Sequence, residues 1–593
     1  MPDHPDHAKA LDVAIIGAGP AGATAAAILL KYNPTLRVVM IEKEKFPRPH
    51  IGESQLPGIS AILDEMGVWD KVEAADFPIK LGASYTWGRN QDVWDFDFYP
   101  VEQFKDEPRP ARFEGQRRFT AFQVDREVYD TILAEHAVSL GARWRQETLV
   151  REVMVDADRI SGLRLDSGEI VTARYYIDAS GTAGILRRAL NIDVTIPEEL
   201  KNIAVWSYWD NAEWAVKIGV GGTRVQVRSL PYGWIWFIPM GPSKASVGLI
   251  CPAEHYRRTG HKPEELYLRA LAEQKEIATL LAKARQYRPI ESTKDWSQVA
   301  ARLVGDNWFV VGEAAGFADP ILAAGMTLAH HSARDAAYTI LELDRNQLPR
   351  KWLLSRFDEK NRHNIRQHIQ FAQFWYASNG CFTDLQQHCS AIAKEAGLKL
   401  DPRRAWQWLA QGGFATETID RPGFGSFDLG ASKQIIEWIS GSSAAFELDK
   451  YNVYKLNLTG AAKDALGNLE GGRIHRIECY RRGPKVLPVS GYYKIVIDAL
   501  RASRDAKDII TAIQNSIMAS APDSEAWHHV SKVLQTIEAM IVDGWIQGTV
   551  DPRRPMPKLA KGGGRVIRAN DEGNRAIAQR DQAPNPPDTP GAS

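Results

Sequence analysis

The residues able to do chemistry begin with three glycines and an acid. Gly17, Gly19 and Gly22 stand in the G-x-G-x-x-G spacing, and Glu42 follows twenty residues after the last of them. Val13 to Ile16 is a short apolar, β-prone run, Ala21 to Lys31 continues as a helix former, and Asn33-Pro34 stops that helix. Leu36 to Ile41 is a second apolar run. Glycine at 17 allows a tight turn, at 19 lets the backbone reach a pyrophosphate, and at 22 lets helix and strand pack closely. A helix N-terminus offers free N–H groups and partial positive charge to phosphate. Glu42 would accept from adenosine ribose hydroxyls. Strand, glycines, helix, strand and acid fall in order, which points to a βαβ unit for the ADP half of a dinucleotide.

Further candidates follow along the chain. Phe46 to Ser60 cannot continue a strand because Pro47 and Pro49 interrupt it, so Gly52-Glu53-Ser54 lies in a loop. Lys80 opens a strand whose alternation places Lys80, Gly82 and Ser84 on one face; the bland reading is a solvated lysine. Phe122 to Arg126 precedes an amphipathic helix, and Arg174 to Ser180 (RYYIDAS) reads as a buried strand. Asn202 to Cys251 is rich in Trp, Tyr and Val and reads as an antiparallel sheet. There Trp234, Trp236 and Ile238 share one face and Ile235 and Phe237 the other. Trp308 to Glu313 reads as the last strand of the nucleotide domain, and a long helix opens at Ala324-Gly325-Met326, presenting N–H groups to a ring or an anion.

At 593 residues the chain has room for two or three domains and ample core. Lys+Arg and Asp+Glu are both 73, so no net field favours nucleic acid or an acidic membrane surface. No apolar run spans a bilayer and no leader is evident, so we expect a cytoplasmic protein with no nucleic-acid or membrane partner. Cys251, Cys381, Cys389 and Cys479 form no C-x-x-C pair, and His388 with its two neighbours does not complete a zinc set; no metal site is expected. The 18 tryptophans are read mainly as core.

Three landmarks stand in one order: GAGPAG with Glu42, RYYIDASG, and GEAAGFADP. Together they resemble the flavoproteins that include aromatic hydroxylases, geranylgeranyl reductases and flavin-dependent halogenases. Gly52-Glu53-Ser54 and Trp234-Ile-Trp236-Phe-Ile238-Pro239 narrow this to the flavin-dependent halogenases, over roughly residues 11 to 375. The resemblance implies an α/β fold: a Rossmann-like FAD-binding domain over 1–343, interleaved with an antiparallel-sheet substrate domain (about 202–300). A mainly helical region over 344–480 would complete the substrate pocket. Beyond the resemblance, three helix-like runs, Tyr492 to Leu500, Ala506 to Ile517 and Trp527 to Asp543, suggest a small winged-helix-like module (481–553). The Gly, Pro, Arg, Asn and Asp composition after Pro552 suggests a disordered tail (554–593).

FAD, supplied reduced by a separate NAD(P)H-dependent flavin reductase, would be held by Gly17, Ala18, Gly19, Ala21, Gly22, Glu42, Arg126, Gly312, Glu313, Gly325 and Met326. O2 would give a C4a-hydroperoxide. Chloride or bromide at Ala324 and Gly325 would be oxidised to hypohalous acid. Lys80, with Glu53 and Ser54 as further catalytic residues, would deliver halogen to an electron-rich phenol, pyrrole, indole or carrier-bound aromatic. Lysine suits this step because its ammonium can hydrogen-bond hypohalous acid and burial can free its nitrogen as a nucleophile. Trp234 and Trp236 would keep substrate from the flavin. Leu322 stands where free-tryptophan halogenases carry a glutamate, and Ala323-Ala324 where many relatives have Ser or Thr before the glycine. Two alternatives stay open: a flavin monooxygenase or dehydrogenase without halide chemistry, and a flavin-loaded binding protein.

Overall fold

The computed structural model describes residues 11–87, 93–99, 101–219, 221–294, 296–378, 447–483, 485–520, 523–557 and 567–569. Cys381, Cys389, His388 and the tryptophans at 406 and 408 lie outside them. The chain opens with β1 (Leu11–Ile16), α1 (Pro20–Tyr32) and β2 (Val38–Ile41). Then come β3 (Ile79–Thr86), β4 (Val93–Asp97), α2 (Arg126–Ser139), β5 (Arg143–Arg145) and β6 (Ala173–Asp178). Four long strands follow: β7 (Asn202–Asp210), β8 (Gly222–Leu230), β9 (Gly233–Pro239) and β10 (Ala245–Pro252). The last strand of the nucleotide part is β11 (Trp308–Val310), and α3 (Ala324–Arg345) and α4 (Arg350–Ser378) close it.

Two sheets carry the architecture. Five strands in the order β11-β6-β1-β2-β5 form a parallel sheet. From Val13 to Ile16 and from Val38 to Ile41 its central strands β1 and β2 are buried and apolar, and α1 packs on them and on α3. The larger, mixed sheet holds β7, β10, β9, β8, β3 and β4 in that spatial order. The β7–β10 part is antiparallel, but β3 joins β8 in parallel, so two segments about 140 residues apart become neighbours. Trp234, Trp236 and Ile238 of β9 face the nucleotide domain's core, while Ile235 and Phe237 face a second core covered by helices Pro263–Glu273 and Lys275–Leu280. This is the division of faces expected from the alternation.

Four expectations need correction. The sequence placed Lys80, Gly82 and Ser84 on one uninterrupted face. The register instead pairs Lys80 with Thr223 and Gly82 with Arg224, a bulge that breaks the alternation at Leu81. Trp308 to Glu313 is strand only to Val310, because Gly312 takes a positive φ and starts a 3-10 turn. Residues 344–480, read as mainly helical, also contain the strands β12 (Ala462–Glu470) and β13 (Arg473–Arg482, running just past that range). Gly471 and Gly472, with φ of 55° and 74°, form the two-residue turn between them. A Gly-Gly pair between two runs is a hairpin signal that outranks the helix propensity of Ala and Leu nearby. Finally, Ile567–Ala569, inside the segment expected to be disordered, pairs antiparallel with β4.

The C-terminal helices Gly491–Ala502, Ala506–Ser520 and Asp523–Val542 surround a core of their own. The β12–β13 hairpin carries this module onto α3. The Gly472 amide donates to the Tyr338 hydroxyl at 3.2 Å, the Ile474 amide to Glu342 at 3.2 Å, and Arg345 to the Gly472 carbonyl at 2.6 Å.

Candidate active site

The glycine turn between β1 and α1 is closed by its own backbone. Gly17 donates to the Ile41 carbonyl at 2.8 Å, and the Ala18 amide donates to Glu42 at 2.8 Å. A Cβ on Gly17 would meet the Ala179 carbonyl oxygen at 2.4 Å, and one on Gly22 would meet the Gly17 carbonyl oxygen at 2.0 Å. Only glycine fits either place. Above Gly19 there is room, and the nearest group is the Arg48 guanidinium, 3.2 Å from where a Cβ would sit. A bare backbone with a guanidinium above it is a cradle that suits a pyrophosphate. Glu42 is buried, accepts from Ala18 and Glu44, and keeps lone pairs for a ribose. Ala21 packs against Gly312. Glu313 follows Gly312, with its carboxyl beside Gly181; burial raises its pKa. These residues fit the adenosine and ribityl parts of FAD. Arg48 was not anticipated, and its position in a proline-flanked loop gave no sign of it.

Arg126 lies close enough to Glu313 to interact with it electrostatically and also has a structural task. Its guanidinium grips Asp130 through two bonds of 2.7 and 2.9 Å and donates to the Ile51 and Gly52 carbonyls at 2.7 and 3.2 Å. It thereby ties the Gly52-Glu53-Ser54 loop to α2. Glu53 is buried and accepts a 2.7 Å bond from Tyr208 of β7. Burial raises its carboxyl above the ordinary range, with Tyr208 and nearby amides pulling the other way. Ser54 bridges to Gln123, and the Val124 amide donates to the Glu53 carbonyl at 2.7 Å.

Lys80 is brought to the same loop. Its Nζ donates to the Gln55 carbonyl at 2.9 Å and lies 5.4 Å from the centre of the Phe98 ring. It is 2% exposed and forms no ion pair among the described residues. Burial alone pulls its pKa down to about 7. The solvated lysine of the bland reading is therefore excluded. Ser84, two residues past the bulge, turns instead to Asp95 at 2.6 Å.

The second turn precedes α3. Asp319 caps a 3-10 turn over Pro320–Leu322, accepting from the Ile321 amide at 3.0 Å. Ala323 then takes φ 55° and ψ 35°, and the helix begins at Ala324. Gly325 lies against the Phe317 ring, where a Cβ would approach to 2.6 Å. Met326 is buried behind it. Trp234 and Trp236 lie beside each other at 6.1 Å between ring centres. Trp236 donates to Ser246 at 3.1 Å, and Trp234 donates to Tyr376 of α4 at 3.0 Å. Among the described residues no group of His, Cys, Asp and Glu is placed to hold a metal, and no helix is long and apolar enough to cross a membrane.

Comparison with known proteins adds the following. Residues 10–372 match the FAD binding domain family. The chain is 30% identical over 424 residues to the 1H-pyrrole-2-carbonyl-[peptidyl-carrier protein] chlorinase of Pseudomonas fluorescens, covering 69% of this chain and 92% of that protein. It is 32% identical over 336 residues to the tryptophan 2-halogenase of Chondromyces crocatus, covering 55% of this chain and 60% of that protein. Among solved structures, the flavin-dependent halogenase CmlS superposes with a TM-score of 0.69 at 25% identity, over 94% of this chain and 99% of its own.

Proposed function

From the premise that the chain belongs to the flavin-dependent halogenases, FAD-using oxidoreductases that halogenate aromatic substrates, we propose that it transfers chloride- or bromide-derived halogen to an electron-rich ring through Lys80. The observation that carries this reading is Lys80 itself: a buried amine without an ion-pair partner among the described residues, braced beside the Gly52–Ser54 loop. Bound in its reduced form, FAD would supply the two electrons with which O2 becomes a halide-oxidising equivalent. Overall, Ar–H, halide, O2, FADH2 and a proton would give Ar–X, FAD and two waters.

The protein's share is placement. The cradle at Gly17–Gly22 and Glu42 fixes the nucleotide end. The turn at Ala324-Gly325 offers backbone N–H groups to halide. Near pH 7 Lys80 populates both protonation states: as ammonium it donates to the oxygen of hypohalous acid, and as amine its lone pair takes the halogen and releases water. Glu53, held by Tyr208, sits on the loop that positions Lys80. Trp234 and Trp236 keep the ring of the substrate from the flavin side. Leu322 leaves the 3-10 turn Pro320–Leu322 without an acid, which disfavours free tryptophan. A pyrrole or phenol, free or carrier-tethered, fits better, and a separate reductase would supply FADH2.

The test mixes reduced, FAD-loaded enzyme with O2 and bromide, with a β-diketone halogen trap or an electron-rich phenol. Wild type brominates both, and Lys80→Ala keeps trap bromination but loses the aromatic product. Oxygenated product formed at the same rate with and without halide would sink the reading and favour the monooxygenase, which Ala323-Ala324 otherwise supports.

A further inference from the structure

The turn that opens α3 is strained and needs support. Ala323 is not glycine, yet it sits at φ 55°. Such a conformation costs free energy and persists only where surrounding contacts over-determine it. Those contacts converge on Asp319, which is 1% exposed. One carboxylate oxygen, Oδ1, accepts both the Ile321 amide at 3.0 Å and the Tyr376 hydroxyl at 2.7 Å. The Tyr376 hydroxyl in turn accepts from the Trp234 indole N–H at 3.0 Å. Trp87 packs on both partners, with ring centres 6.4 Å from each. From below, the Tyr85 hydroxyl donates to the Ile321 carbonyl at 3.3 Å. In the first turn of the helix Thr327 is buried, and its hydroxyl has no protein partner among the described residues.

We propose that Trp234, Tyr376 and Asp319 form a hydrogen-bonded relay that holds the turn Pro320–Ala324 in its anion-accepting shape. This rests on the halogenase reading, which places halide at that turn. All three are positioning residues: none needs to touch halide, and each acts through the next. The relay couples the Trp-x-Trp strand to the halide turn through α4. Trp234 then has a second task besides screening the ring, and only its N–H performs it.

Two substitutions separate the tasks. Tyr376→Phe removes the central hydroxyl and keeps the ring. Trp234→Phe removes the N–H and keeps an aromatic screen. Three readouts apply to each FAD-loaded protein: bromide affinity by calorimetry, hydrogen exchange of the peptide 319–326, and KM for bromide against kcat. A lost buried hydrogen bond corresponds to about 3- to 10-fold in an equilibrium constant. We expect Tyr376→Phe to weaken bromide by about 10-fold and Trp234→Phe by about 3-fold, on the same basis. KM for bromide should rise in step and exchange at 319–326 should quicken in both, and in Tyr376→Phe kcat and the FAD dissociation constant should stay near wild type. Unchanged bromide affinity and exchange in both variants overturn the relay while leaving the halogenase intact. If Tyr376→Phe fails to fold, unchanged bromide affinity in Trp234→Phe alone overturns it. Wild-type enzyme that binds no bromide overturns both readings.

Discussion

The glycine turn at 17–22 is held by near neighbours in sequence, whereas the turn at 319–326 is held by residues scattered along the chain. Ala18 reaches its acid across 24 positions. Asp319 reaches Tyr376 across 57, Tyr376 reaches Trp234 across 142, and Ile321 reaches Tyr85 across 236. Both turns offer N–H groups at the start of a helix. The first gets its shape from the absence of side chains, the second from their presence. A device made of glycines is self-contained within one βαβ unit. A device made of cross-chain hydrogen bonds exists only once the sheet, α3 and α4 are assembled, and each contact adds a place where substrate or halide preference can be altered without disturbing the nucleotide.

Substitutions can break or sharpen that contrast. The largest effect should come from Lys80→Ala, which we expect to lower aromatic halogenation by at least about 1,000-fold, or roughly 4 kcal/mol of barrier, with FAD affinity retained. Product analysis by mass spectrometry checks it. Gly22→Val should be the mirror image. Its side chain meets the Gly17 carbonyl, so FAD binding should fall by about 100-fold, roughly 3 kcal/mol, as seen by equilibrium dialysis. A Gly22→Val enzyme that binds FAD normally would erase the distinction drawn above.

The pH dependence of stability comes next. Lys80 has its folded pKa lowered to about 7 from 10.5 by burial. Between those values the unfolded chain binds the proton that the folded chain refuses, so stability rises with pH from 7 to 10.5 and this contribution is flat below 7. Lys80→Met should flatten that rise, by up to roughly 1.4 kcal/mol per pH unit, in urea titrations compared across the window. The smallest effect should be that of Tyr208→Phe. It leaves the buried Glu53 carboxylate short of one donor and should cost about 1–3 kcal/mol, read from urea midpoints. It should also push the Glu53 pKa further up, moving any acid limb of the activity profile to higher pH.

The same contrast explains what could be read from the sequence. The βαβ unit and the split faces of β9 were accessible because spacing, alternation and motif order are local properties. The burial of Lys80 beside the Gly52–Ser54 loop was not, since its partner is the Gln55 carbonyl and a bulge breaks its strand's alternation. Arg48 and Tyr208 were not, because nothing near them in sequence announces their partners. Asp319 stood inside the quoted GEAAGFADP stretch, yet its task became visible only when α4 brought Tyr376 to it. The loop-bracing task of Arg126 was not legible either, although Asp130 lies one helical turn ahead of it, because the Ile51 and Gly52 carbonyls it binds lie 75 and 74 residues away. The β12–β13 hairpin lies in a stretch expected to be mainly helical, and its one local signal is the Gly471-Gly472 pair at its turn.

Tyr376 also bears on where this enzyme can be cut. The FAD binding domain match ends at residue 372, four positions short of it. A protein trimmed to that boundary would retain the whole nucleotide cradle and yet strand Asp319 without its hydroxyl donor. It should therefore colour yellow with flavin and bind bromide at least about 10-fold more weakly. On this reading the unit needed for tight halide binding is longer than the matched cofactor domain, and the difference lies near the end of one helix.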